Sequence, residues 1–162
     1  MSGSVLAHLV SKYQTRGVLV DANILLLYMV GGYDRKLIDI FKRTQTFNVQ
    51  DYKLVAAFLS VFRSIVTTPN ILTEVSNLSA QLPTQYFERF RLQIQVLNEA
   101  YVPSATASSE RYFARCGLTD AGIMALAKDR FLVLTDDFRL SNVLAAIGVD
   151  CINFNHIRTF VW

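Results

Sequence analysis

Residues 17–30 read GVLVDANILLLYMV, and the fold class turns on that stretch. Residues 17–20 are short, apolar and β-branched, the composition of a strand buried on both faces. Asp21 ends the run. Residues 22–30 then have helical length and are apolar nearly all round, with Gly31 and Gly32 as the expected stop. A doubly buried strand feeding a helix covered on several sides is the opening unit of a parallel sheet, because parallel neighbours need a crossover connection.

The same alternation continues down the chain. Residues 34–43 read as an amphipathic surface helix, with Leu37, Ile38 and Phe41 on one face and Arg35, Lys36, Asp39, Lys42 and Arg43 on the rest. Residues 51–62 read as a helix and 64–67 as a second buried strand. Thr68 followed by Pro69 is an N-cap with proline at the first helical position, which starts a helix over 70–78. A helical period runs through 84–99, and Tyr101-Val102 before Pro103 suits a brief strand. Further helices are expected over 108–116 and, capped by Thr119, over 120–128. Residues 131–134 form another buried strand. Leu140, Val143, Leu144 and Ile147 before Gly148 give a helix and stop, and 149–154 close the series as a strand. What precedes residue 17 reads as a polar lead-in. The expectation is an α/β protein in three layers, a mostly parallel sheet covered by helices on both faces.

The 162 residues suit one domain with a sizeable core. Apolar residues at 52% and charged residues at 18% exclude a disordered chain. No linker, repeat or low-complexity block divides the sequence. A net charge of +3 with pI near 9.0 permits a polyanionic partner without requiring one. The cysteines, Cys116 and Cys151, form neither a C-x-x-C pair nor a disulfide framework, so a reducing cytoplasm is expected. The longest apolar run, residues 24–30, falls far short of the roughly 18 residues of a membrane span. The N-terminus carries no signal-peptide pattern. Neither secretion nor membrane insertion is expected.

In open parallel sheets ligands bind at the carboxyl ends of the strands. Asp21 directly follows the first strand, Glu74 lies on the second turn of the helix after the second strand, and Asp136 and Asp137 follow the strand ending near Leu134. Asp120, in the first turn of a helix, joins them if its packing allows. Two carboxylates 4 Å apart repel by about 4 kcal/mol at an effective dielectric near 20, so such a group needs arginine or a cation to compensate. No arginine or lysine immediately flanks Asp21, Glu74 or Asp120. Oxygen-only donors suit Mg²⁺ or Mn²⁺, and such an ion assists phosphodiester hydrolysis by activating water and offsetting charge on a phosphoryl oxygen. A net basic remainder suits a nucleic-acid substrate.

Four pieces of the sequence, VLVDANILL at 18–26, PNILTE at 69–74, LTDAGIMALA at 118–127 and VLTDD at 133–137, together resemble PIN-domain ribonucleases. The resemblance spans residues 17–154. It implies a five-stranded parallel sheet of order 3-2-1-4-5 and a Mg²⁺- or Mn²⁺-dependent endoribonuclease that cuts single-stranded RNA. Many small members are toxins of toxin-antitoxin pairs, which implies a protein antitoxin as partner, and small members commonly form homodimers; others serve RNA processing or decay. Position by position, Asp21, Glu74, Asp120 and Asp137 match the four catalytic and metal-binding acids, and Asn23 and Thr135 match the supporting polar positions. Asp136 beside Asp137 makes the fourth acid ambiguous, since only one of two neighbours past a strand points inward. Ala22 stands where many members carry Thr or Ser. The stretch between Asp21 and Glu74 is longer than in compact toxins, with an additional helical excursion over 44–62.

Other readings fit less well. Asp21, Asp120 and Asp137 taken singly are each compatible with a helix cap. Arg139, two residues past Asp137, is a candidate for a substrate phosphate, with a solvated ion pair as its ordinary alternative. The basic residues of 35–43 ordinarily solvate a helix face, and Tyr86, Phe87 and Phe90 suit a core or oligomer surface better than base stacking. Neither His8 nor His156 sits in a nucleophile-and-base motif, and no Gly-x-Ser-x-Gly is present. A receiver would need an acidic pair after the first strand, and a dehalogenase-type phosphatase Asp-x-Asp where this chain has Asp21-Ala22-Asn23. The rival from another class is a catalytically silent PIN-like module that scaffolds RNA or protein.

Overall fold

Strand β1 is only three residues long, Val18–Val20, and all three side chains are buried. Removing each such side chain from water contributes about 1.5 to 3 kcal/mol, which is why so short a strand can hold the centre of a sheet. The structure, a computed structural model, describes residues 3–158; the outermost positions of the expected single domain, 1–2 and 159–162, lie outside it. β1 pairs in parallel with β2 (Ile65–Thr67) on one side and β4 (Leu132–Thr135) on the other, in the register Val18 to Ile65 and Val18 to Leu132. β3 (Asn98–Glu99) extends the sheet beyond β2, and β5 (Cys151–Asn153) beyond β4. The order 3-2-1-4-5, every pair parallel and helices flanking the sheet, is the expected three-layer α/β/α sandwich. The chain moves outward from β1 through β2 and β3, then returns to the other side of β1. The order therefore reverses between β1 and β4, and their carboxyl ends open a crevice.

Helix α1 (Gly3–Tyr13) occupies what the sequence suggests to be a polar lead-in. Its last turn is fastened: Lys12 Nζ and the Tyr13 hydroxyl donate to Asp150 at 2.7 and 2.8 Å. Helix α2 (Ala22–Tyr33) is buried along most of its length, as its apolar sequence requires, and packs against helices α3 (Val49–Ser60), α4 (Pro69–Leu78) and α5 (Thr84–Ile94). The expected stop at Gly31-Gly32 is not one, because the helix runs through both. A side chain at Gly31 would collide with the Tyr52 ring of α3, so this glycine serves a close helix crossing instead.

Residues 34–43 do not form the expected amphipathic helix. A single 3₁₀ turn, Arg35–Leu37, is capped by the Asp34 carboxylate and followed by turns. Ile38 and Phe41 still reach the core, so the apolar pattern is met without helical backbone. α3 begins earlier than expected, through a capping box of Asn48 and Asp51. α4 starts as read, with the Thr68 hydroxyl accepting from the Ile71 N–H at 3.2 Å.

α5 ends at Ile94 rather than carrying on to residue 99, and the third strand is Asn98–Glu99 rather than Tyr101-Val102. The free edge of β2 takes Asn98 and Glu99 as partners of Val66 and Thr67, which leaves Tyr101 74% exposed. Instead of one helix over 108–116 there is a short α6 (Ser104–Ser108), then α7 (Phe113–Ala127) broken at Gly117. Thr119 lies inside α7 and not at its cap. α8 (Phe138–Ala146) and a final turn of helix, α9 (Phe154–Arg158), complete the fold. Among the described residues no helix is long and apolar enough to cross a membrane.

Candidate active site

The crevice at the reversal point is built from side chains that the strands deliver to one edge. Asp21 leaves β1 as the N-cap of α2, and its backbone N–H bonds the Leu134 carbonyl of β4 at 3.0 Å. That bond sets Asp21 beside Thr135, the last residue of β4. The Thr135 hydroxyl donates to Asp21 Oδ2 at 2.6 Å and accepts the Asp137 N–H at 3.0 Å, while Asp21 Oδ1 takes the Ala22 N–H at 2.6 Å. Thr135 thus ties Asp21 to the loop carrying Asp137.

Asp120 arrives by a different device. Gly117 has φ +81 and ψ −178, a conformation that suits glycine alone, and it divides α7 into residues 113–116 and 118–127. Asp120 falls in the first turn after the break and enters the crevice. Glu74 comes from the second turn of α4. Asp21, Asn23, Glu74, Asp120, Asp137 and Arg139 line one cleft of about 240 Å³, with residues 116–119 as its remaining wall. Asp137 is also the cap of α8, accepting from the Arg139 and Leu140 N–H groups at 2.6 and 3.2 Å; cap and cleft positions coincide. Asp136 does not line the cleft. Its charge nevertheless reaches Asp21, and its Oδ1 is buried without a hydrogen-bond partner.

The electrostatics record the crowding. Burial, with added repulsion from Asp120 and Asp136, pushes the Asp21 carboxyl up to about 7, against the Thr135 and Ala22 hydrogen bonds. Burial and the charges of Asp137 and Glu74 push Asp120 up to about 6, against the pull of Arg139. Asp136 is raised too, chiefly by burial, with a hydrogen bond from Asn23 easing it. The sequence places no arginine next to Asp21, Glu74 or Asp120, yet the fold brings one to Asp120: Arg139 Nη2 lies 3.7 Å from Asp120 Oδ2, and its Nη1 donates to the Arg115 carbonyl at 2.9 Å. One long, half-exposed ion pair offsets little of the repulsion among so many carboxylates. Burial raises the Cys116 thiol, and takes Cys151 up to about 12, so neither sulfur is available as a thiolate.

As donors for a metal the side chains are oxygen-only, the set a hard divalent cation takes. No three of the His, Cys, Asp and Glu side chains among the described residues stand close enough to form a tight metal cage. No family model, curated protein or solved structure matches the chain.

Several lining residues carry little signal in the sequence. Gly117 is an isolated glycine in a helical stretch, and its positive φ has no local signature in the sequence. The polar stripe Asn70, Glu74 and Asn77, at positions i, i+4 and i+7 of α4, is legible as one helix face, and both asparagines border the adjoining cavity.

Proposed function

We propose that the chain is a metal-dependent endoribonuclease of the PIN-domain kind that hydrolyses phosphodiester bonds of single-stranded RNA. The observation that carries the reading is the meeting of Asp21, Glu74, Asp120 and Asp137, from four separate elements, in one cleft at the reversal point of a 3-2-1-4-5 parallel sheet. Asp21, Glu74, Asp120 and Asp137 would hold Mg²⁺ or Mn²⁺, with Asp136 contributing charge from behind Asp21. Such an ion supplies an activated water and offsets charge that builds on the phosphoryl oxygens. Thr135 fixes the Asp21 carboxylate and the loop bearing Asp137, so the acids keep their spacing as substrate enters. Arg139, which pairs loosely with Asp120, would meet a substrate phosphate. Two unpaired cysteines support a reducing cytoplasm as the compartment.

One feature favours a second reading, a module that binds without cutting: the acids do not already form a tight metal cage. Cleavage of single-stranded RNA with Mn²⁺, with and without chelator, separates the two. The nuclease reading predicts cutting that chelator stops and that Asp21→Asn and Asp120→Asn each reduce by more than about a hundredfold. Unchanged cutting by both variants, or none under any divalent ion, contradicts it.

A further inference from the structure

Two cavities adjoin the acidic cleft. One, of about 380 Å³, shares Glu74, Leu118 and Thr119 with it and is lined further by Arg43, Asn70, Thr73 and Asn77. The other, of about 510 Å³, shares Arg139 with it and is lined further by Tyr112, Arg115, Asn142 and Val143. Taken together the three spaces make a trough with two arms that adjoin the acidic cleft, each arm carrying a cationic side chain. Arg43 and Arg115 are exposed and pair with no carboxylate among the described residues. Other exposed arginines, Arg63 and Arg89 among them, also lack such a partner, so what sets Arg43 and Arg115 apart is their place beside the cleft.

We infer that a single-stranded RNA crosses this trough from arm to arm, with Arg43 and Arg115 holding backbone phosphates on opposite sides of the acids and Asn70 and Asn77 facing the bases of one arm. The inference rests on the nuclease reading and adds the substrate's path. The charge pattern argues for it. Phosphates are repelled by the acidic centre, so a strand with a bond over the acids has to be anchored at its flanks, and unpaired guanidinium groups are suited to that. Asn70 and Asn77 lie on the Glu74 face of α4, and amide side chains offer both a donor and an acceptor to base edges exposed in a single strand. A strand held on both arms is cut within its length, not trimmed from its end. Arg43 and Arg115 are positioning residues and take no part in bond breaking.

The test is fluorescence-anisotropy binding of a labelled oligouridylate to the full chain in chelator, where nothing is cut, across a salt series. Arg43→Ala and Arg115→Ala are each expected to weaken binding by roughly threefold to tenfold and to lower the salt slope by about 0.7, with Arg43→Lys restoring the slope. Arg91→Ala, outside the trough, is expected to change neither. The path is overturned if wild-type protein does not bind, if either arm's alanine variant leaves affinity and slope unchanged, or if oligothymidylate binds more tightly than oligouridylate. Because no cutting is read, the outcomes separate. RNA cut with Mn²⁺ but indifferent to Arg43 removes the path and keeps the nuclease, whereas both arms binding without any cutting keeps the path and removes the nuclease.

Discussion

Asp51 and Asp21 are both aspartates at the start of a helix, both buried, at 1% and 6% exposure, and the fold treats them in opposite ways. Asp51 closes the capping box of α3 and meets Arg158 of α9, whose Nε and Nη2 donate to its two oxygens at 2.8 and 2.6 Å. That guanidinium also lies over the Phe47 and Phe154 rings. Asp150 is handled similarly: though partly desolvated, it is held below the usual carboxylate range by the hydrogen bonds of Lys12 and Tyr13. Asp21 is given a hydroxyl and a backbone N–H but no cation, and it faces further acids. Where a buried carboxylate serves architecture, this chain provides the opposite charge beside it. At Asp21 it provides none, and Arg139 in the same cleft pairs only loosely with Asp120, a pattern that supports the proposed cation site.

The contrast should appear first in stability. Asp51→Asn leaves Arg158 without its partner and is expected to lower the unfolding free energy by about 2 kcal/mol, short of the full loss for a buried pair because Arg158 is 27% exposed. Asp21→Asn removes a charge that the fold resists while keeping a capping side chain, so in chelator near pH 8 it is expected to raise stability by on the order of 1 kcal/mol. Urea unfolding of both variants measures this. Equal losses would erase the distinction between the two regions.

A smaller effect is expected at the support position. Thr135→Val keeps the shape of the β4 end but removes the hydroxyl that joins Asp21 to the Asp137 N–H. A loss of about 1 kcal/mol in stability and about tenfold in RNA cutting is expected. A variant that cuts like wild type would reduce Thr135 to a structural residue.

Acidity sharpens the comparison further. Asp21 and Asp120 have folded values of about 7 and about 6, above their ordinary value when unfolded. The folded state therefore binds more protons than the unfolded one over that interval, so stability falls as pH rises through it. The metal-free protein is expected to melt at a higher temperature near pH 5 than near pH 8. The dependence should shrink in Asp21→Asn and flatten with Mg²⁺, which favours the ionised carboxylates. Asp150, shifted the other way, contributes stability that is present above the ordinary carboxyl range and is lost only as pH falls below it, so it adds no slope over this interval. A melting temperature that rises steadily from pH 5 to pH 8 without metal would contradict this electrostatic picture.

What could be read from the residues alone divides along the same line. The central strands, the buried helix after Asp21 and the Thr68-Pro69 start are local consequences of side-chain type and were open to reading. So was the meeting of Asp21, Glu74 and Asp137 at one edge of the sheet, since strand ends and the helix that follows β2 fix their side. Asp120 was conditional, because its entry into the cleft depends on the break at Gly117, a positive-φ conformation with no local signature. The same reason hid Gly31 as a helix crossing, the collapse of residues 34–43 into turns around Ile38 and Phe41, and the choice of Asn98–Glu99 over Tyr101-Val102 as the edge strand. Arg139 beside Asp120 and Arg158 beside Asp51 join residues distant in the chain, which no local pattern announces.

The central claim is that the acids gathered at the ends of β1 and β4 are kept for a divalent cation, and calorimetric titration of the metal-free protein with Mn²⁺ tests it most directly. The account predicts saturable binding that is lost in Asp21→Asn and in Asp120→Asn and retained in Asp51→Asn. Absence of saturable binding in the unaltered protein, or binding that survives at full strength in both cleft variants, would contradict it.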